Sequence, residues 1–133
     1  MGSYFFNMHP NIAKTTLYSS QSLSIKKSDI HRFGVFTDDF FEEGDVIEES
    51  PLLYLPSEEV EDTTATSHYY SFSDEYMILG FGHAAMYNHT DDGGNINYYI
   101  DDYNECMVFY ATKDIEAGSE LTLDYGVGDT FEE

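Results

Sequence analysis

Residues 86–95 read MYNHTDDGGN, and three unrelated chemistries compete for them. Asn88-His89-Thr90 satisfies the N-x-Thr glycosylation sequon, a short pattern that matters only in a secreted chain. The acids invite a calcium reading. An EF-hand loop begun at Asp91 would need an acid at its third position and glycine at its sixth, where this chain has Gly93 and Ile96. A looser calcium site from Asp91, Asp92, Asp101 and Asp102 is compatible with the spacing, although such runs are ordinarily solvated turns. Zinc fits no better: His83 and His89 are six positions apart, which does not place them together on a helix. In isolation the stretch is ambiguous, so the rest of the chain has to decide.

A chain of 133 residues holds one hydrophobic core rather than two. With 41% apolar and 17% aromatic residues, among them twelve Tyr and ten Phe, it is too aromatic for a disordered segment. The net charge is −21, from 26 acidic against five basic side chains: Lys14, Lys26, Lys27, Arg32 and Lys113. A duplex-binding protein must neutralise phosphates, so nucleic acid is not an expected partner. The acidity has two readings, a solvated self-repelling surface or a negative cleft that steers lysine-rich substrates. Charge alone favours the first.

Cys106 is the single cysteine, which excludes an intrachain disulfide and a cysteine-clustered zinc site; no metal site is expected. The opening MGSYFFNMHPNIAK lacks the basic start and long apolar run of a signal peptide. Phe6 also breaks the myristoylation pattern. No run approaches the eighteen or so apolar residues of a membrane span. A soluble intracellular protein without a membrane partner is expected.

Along the chain, residues 1–21 show no clean period and read as an N-terminal arm. One domain is expected over 22–133. Within it, SLSIKK (22–27), FGVFT (33–37), DVIEE (45–49), PLLYLP (51–56), INYYI (96–100), CMVFYA (106–111) and ELTLDYG (120–126) read as short strands. The acidic, Thr-rich stretch from Ser57 opens a variable insertion over 57–80. Residues 68–89 have room for one or two helical turns, interrupted by Gly80 and Gly82, and 126–133 form a C-terminal tail. FEEGDVI (41–47) and IEAGSEL (115–121) echo each other as two tight turns feeding strands, each with glycine in the left-handed region. The pattern is mainly β with short helices.

Taken in order, FGVF, FEEGDVIEE, LGFGHAAMYNHTDDGGN and MVFYATKDIEAGSELTLDYG resemble the SET-domain protein lysine methyltransferases, in particular the compact stand-alone forms of viruses and microbes. The resemblance spans roughly residues 22–131. NHT stands where the family has Asn-His-Ser, and GSELTLDYG where it has Gly-x-Glu-Leu-Thr-x-x-Tyr-Gly. It implies small β-sheets around a threaded, pseudoknot-like C-terminal segment, a topology that periodicity does not reveal. It further implies S-adenosylmethionine as cofactor and a lysine in a basic protein, such as a histone tail, as substrate. The cytoplasm or a host nucleus would be the setting. Small relatives dimerise, so a homodimer is within the range of assemblies.

Residue by residue, the resemblance implies Arg32, Phe33 and Gly34 at the cofactor loop and Asn88 and His89 holding the cofactor through backbone groups. Tyr125 takes the catalytic position. Tyr98, and with it Tyr70, fall where substrate-lining aromatics are expected, and Phe131 is placed to cover the adenine. The chemistry is coherent. A free lysine has a pKa near 10.4, so only about one in a thousand is neutral at pH 7.4, a deficit of roughly 4 kcal/mol. A dry aromatic tunnel beside a sulfonium lowers that pKa, and a tyrosine hydroxyl orients amine and methyl. Two departures stand out. Arg32 replaces the first glycine of the loop, at a strain of order 1 kcal/mol if φ there is positive, and DDGGN is one residue longer than the family's usual turn. A catalytically silent SET-like module binding a basic peptide or the cofactor is the alternative.

Overall fold

The computed structural model describes residues 14–60 and 69–124. Nine strands dominate: β1 (Leu23–Lys27), β2 (Phe33–Thr37), β3 (Val46–Pro56), β4 (Tyr70–Ser71), β5 (Tyr76–Gly80), β6 (Asn88–Thr90), β7 (Ile96–Asp101), β8 (Cys106–Ala111) and β9 (Glu120–Asp124). A four-residue helix α1 (Ser57–Val60) and a 3₁₀ turn (Ala84–Met86) complete the described elements. The chain is therefore mainly β with short helices, the class read from its pattern.

The strands join in the order β1-β2-β9-β7-β8-β3-β5-β4, with β6 paired to β9 off that path. The last of the described strands is thus interior to the sheet. β9 runs antiparallel to β2 through Val35 and Leu121, and parallel to β6 through Asn88 and Thr122. Its burial explains the placement, since Leu121 and Leu123 on one face and Thr122 on the other are all buried, and a strand covered on both faces belongs inside a sheet. A mixed sheet of this kind fits the SET-type fold; the C-terminal segment beyond Asp124, for which that fold implies threading, lies outside the described residues.

Two expected strands, DVIEE and PLLYLP, are one. β3 pairs with β8 from Val46 to Pro51 and with β5 from Leu52 to Pro56. Pro51 has no N–H to give a ladder, and it sits where β3 changes partner, its carbonyl accepting from the Phe81 N–H at 2.9 Å. Of the one or two helical turns expected in 68–89, the structure has one, the 3₁₀ turn Ala84–Met86, and it lies among the strands β4, β5 and β6. Ile78, fully buried on β5 and paired with both Tyr54 and Tyr70, shows why: the segment needs period two to bury one face.

The echoing segments meet. Phe41 and Ile115 exchange backbone hydrogen bonds of 2.9 and 2.8 Å. The Gly44 N–H donates to Ala111 O at 2.8 Å, and the Gly118 N–H to Thr37 O at 2.7 Å. Thr37 N–H reaches Ser119 O and Ala111 N–H reaches Asp45 O, again as mates. Gly44 and Gly118 have φ of 93° and 92°, a region that excludes most side chains. A local two-fold therefore relates the two turns and ties the start of β3 to the start of β9. The core lies beneath, with Phe109 at the centre of an aromatic group: Tyr87, Tyr98 and Tyr70 have ring centroids 4.7, 5.6 and 6.1 Å from it.

Candidate active site

The hairpin between β1 and β2 closes with the Ser28 N–H donating to Arg32 O at 2.9 Å. Arg32 adopts φ of 43°, so the strain that its replacement of glycine entails is present. The loop is held by side chains from elsewhere. Ser28 Oγ accepts from the Ile30 N–H at 2.9 Å and donates to Glu120 Oε1 at 2.7 Å. Asn88 Nδ2 lies 2.8 Å from Glu120 Oε2 and 3.2 Å from each of Ser28 Oγ, His31 O and Phe33 O. A primary amide has two hydrogens, so these four acceptors share them. Asn88 arrives on β6 and Glu120 at the head of β9, while Gly34 packs against both. An added Cβ there would lie 2.8 Å from Glu120 Cδ and 2.9 Å from Asn88 Nδ2.

Asn88 carries this clasp to the wall of a pocket of about 380 Å³, lined by residues 30–33 and 85–89. Arg32, Phe33, Asn88 and His89 thus border one cavity although the two groups are distant in sequence. Gly34 stands one residue behind the wall, and Tyr125 and Phe131 lie outside the described residues. Tyr70 and Tyr98 are brought together, rings 5.0 Å apart and edge-on, but both are buried in the core rather than on the pocket wall. Tyr87, which sequence reasoning passed over, belongs to both: it lines the pocket and packs on Phe109. Its hydroxyl donates to Glu48 Oε1 at 2.6 Å, and Glu48 is 2% exposed. Burial foremost, then the Glu48 charge, holds the Tyr87 phenol well above its usual pKa; burial does the same for Tyr70.

The remainder of the opening stretch is structural. NHT is β6, DDGG is a turn, and Asn95 braces β9. Asn95 Oδ1 accepts from Thr122 N–H at 2.8 Å and Nδ2 donates to Glu120 O at 2.9 Å, so one side chain stands in for a strand partner. Among the described residues no group of three or more His, Cys, Asp or Glu is placed to hold a metal ion, and no helix is long and apolar enough to cross a membrane.

His89 keeps part of its surface in solvent, yet burial lowers its pKa below the usual 6.5. A depressed histidine stabilises the fold in full above 6.5, and that contribution is lost as pH falls through the lowered folded value. Urea denaturation at about pH 7.5 and about pH 5 should therefore show a larger acid-induced loss in wild type than in His89→Gln. Equal losses would mean that His89 titrates alike in the folded and unfolded chain.

The SET domain family model matches residues 32–126 of this chain. The crystal structure of a Plasmodium falciparum protein assigned as a histone methyltransferase superposes with a TM-score of 0.68 at 25% identity, covering 80% of this chain and 95% of that one. The structure of ctPRC2 in complex with H3K27me3 and H3K27M matches at a TM-score of 0.62 and 26% identity, over 81% of this chain and 15% of that chain. A search of curated proteins by sequence gives no match.

Proposed function

The chain belongs to the SET-domain family, and from that membership we propose that it is a protein-lysine methyltransferase using S-adenosylmethionine on a lysine of a basic protein. The observation that carries this reading is the single pocket in which the loop at 30–33 faces the Asn-His strand. Its volume falls in the usual range for ligand sites, about 300–1,000 Å³. Its lining suits the cofactor: Ile30, Phe33 and Met86 offer apolar surface to a purine, and Arg32 offers a guanidinium to an α-carboxylate. Asn88 directs its amide into the protein, which leaves the backbone of β6 to meet the cofactor.

S-adenosylmethionine, when bound, supplies an electrophilic methyl group on a sulfonium. The protein's part is to present a neutral amine in line with it. Tyr125 follows β9 directly, and its hydroxyl is the group we assign to orienting that amine. Tyr87, Tyr98, Tyr70 and Phe109 give the neighbouring interior an aromatic, water-poor character that favours a neutral lysine. The excess of acidic side chains draws in basic substrates, and the ctPRC2 complex with H3K27me3 and H3K27M makes a histone tail the substrate class to try first.

The test is methyl transfer from labelled S-adenosylmethionine to histones and other basic proteins, with the modified residue identified by mass spectrometry. Wild type should label lysine, and Tyr125→Phe should fall by about a hundredfold or more while binding the cofactor product equally well by calorimetry. Arg32 at positive φ is the one observation favouring a silent binding module. That reading would be correct if wild type bound the cofactor but transferred no methyl group to any basic protein.

A further inference from the structure

Glu48 is a carboxylate with 2% of its surface exposed, and burying such a charge is expensive unless something compensates it. Among the described residues the ion pairs are Lys14 with Glu49 and His83 with Glu48, so no lysine or arginine reaches it. Its oxygens accept from the Tyr87 hydroxyl at 2.6 Å and the His83 backbone N–H at 3.3 Å, and Oε2 lies 3.4 Å from His83 Nδ1. Ser50, two residues along β3 on the same face, is fully buried and its hydroxyl has no partner. Both groups face Gly82: a Cβ built there would lie 2.7 Å from Glu48 Oε2 and 3.6 Å from Ser50 Oγ. Gly82 itself is exposed. Tyr70 feels the Glu48 charge, and Tyr98 lies edge-on behind Tyr70. A buried anion, an unpaired hydroxyl and a bank of aromatic rings form surroundings suited to an alkylammonium.

We propose that Glu48 accepts the proton that the target lysine must lose, with Tyr87 handing it across and His83 releasing it to water. The proposal rests on the reading of the pocket as the site of methyl transfer. Tyr87 joins the pocket wall to Glu48. A lysine N–H bond breaks and its proton passes to Tyr87 Oη as the Tyr87 O–H proton passes to Glu48 Oε1, so tyrosine ends as it began. The carboxylic acid then turns about its Cγ–Cδ bond, so that the protonated oxygen takes the place of Oε2 beside His83, and gives its proton to His83 Nδ1, whose side chain is 27% exposed. The freed lone pair attacks the methyl carbon; the N–C bond forms as the C–S bond breaks, and that electron pair stays on sulfur. Because the Tyr87 phenol is held protonated by burial and by Glu48, it acts as a bridge and not as an independent acid.

The experiment is the rate of methyl transfer to a lysine peptide across pH in wild type, Glu48→Gln and Tyr87→Phe, with cofactor affinity measured by calorimetry on each. Glu48→Gln keeps the shape and an oxygen for Tyr87 to donate to. Both variants should lose tenfold or more at about pH 7.5, and both should come within about twofold of wild type near pH 10, where lysine sheds its own proton. Cofactor affinity should be unchanged in Glu48→Gln, whose side chain is not part of the pocket wall. A loss that is the same at every pH, a loss that follows weakened cofactor binding, or no loss would each overturn the relay while leaving the methyltransferase reading intact. Wild type that transfers no methyl group at any pH would overturn both.

Discussion

Replacing Gly34 by alanine should destabilise the protein by about 3 kcal/mol, measured as the shift of the urea midpoint at constant m-value. Gly34 is buried on β2, and the new methyl group would meet Glu120 Cδ at 2.8 Å and Asn88 Nδ2 at 2.9 Å. A flexible side chain could swing away. Glu120 cannot do so freely, because Ser28 and Asn88 hold its two oxygens. The methyl group must therefore break the clasp or push β2 from β9, where Val35 pairs with Leu121. Cofactor binding should fall with stability, since the displaced strand leads directly from the 30–33 loop. A variant within 0.5 kcal/mol of wild type, the ordinary scatter for surface changes, would show that the clasp is not rigid.

The second large effect belongs to Asn88. Asn88→Ala removes the donor shared by the carbonyls of His31 and Phe33 and by Glu120, leaving part-buried acceptors unsatisfied at about 1–3 kcal/mol for the first of them. A total of roughly 3 kcal/mol follows, together with faster amide exchange in the 30–33 loop. Asn88→Asp should be worse than alanine. It keeps the size but turns the donor into an anion facing Glu120, and like charges in contact repel more strongly in a part-buried site. If aspartate were instead tolerated better than alanine, the side chain would be filling space and not donating. Because Gly34 and Asn88 act on the same carboxylate, the double variant should lose less than the two single losses combined.

The strands at 22–27, 33–37, 96–100 and 106–111 were legible as short runs of β-branched, aromatic and other apolar residues between turn signals, a local property, although β8 is buried almost throughout and not at alternate positions. The pairing of Asn-His-Thr (88–90) with Thr-Leu-Asp (122–124) was legible only as two motifs in a familiar order; nothing in either stretch says that they run parallel as β6 and β9. Of the helical turns expected in 68–89 one is present, the 3₁₀ turn Ala84–Met86, and the extended part of that range was missed for a related reason. Gly80 and Gly82 interrupt any short pattern, and only the partner strand β3 shows that Tyr76–Gly80 is extended. Glu48 was invisible. In DVIEE two glutamates stand side by side, and it takes the fold to bury one at 2% while the other pairs with Lys14 near the surface. Tyr87 was hidden by its neighbours, since Asn88 and His89 drew the motif and the aromatic between pocket and core lay one residue earlier. Ser28 carries no motif, and only its bond to Glu120 identifies it.

Chemical-shift mapping with S-adenosylhomocysteine tests the central claim most directly, because it locates the ligand without requiring turnover. Amides at residues 30–34 and 87–89 should shift together and saturate with one affinity, while those of β4 and β5 stay in place. Saturating shifts confined to any other part of the molecule, or none at millimolar ligand in a folded sample, would contradict the assignment of this pocket to the cofactor.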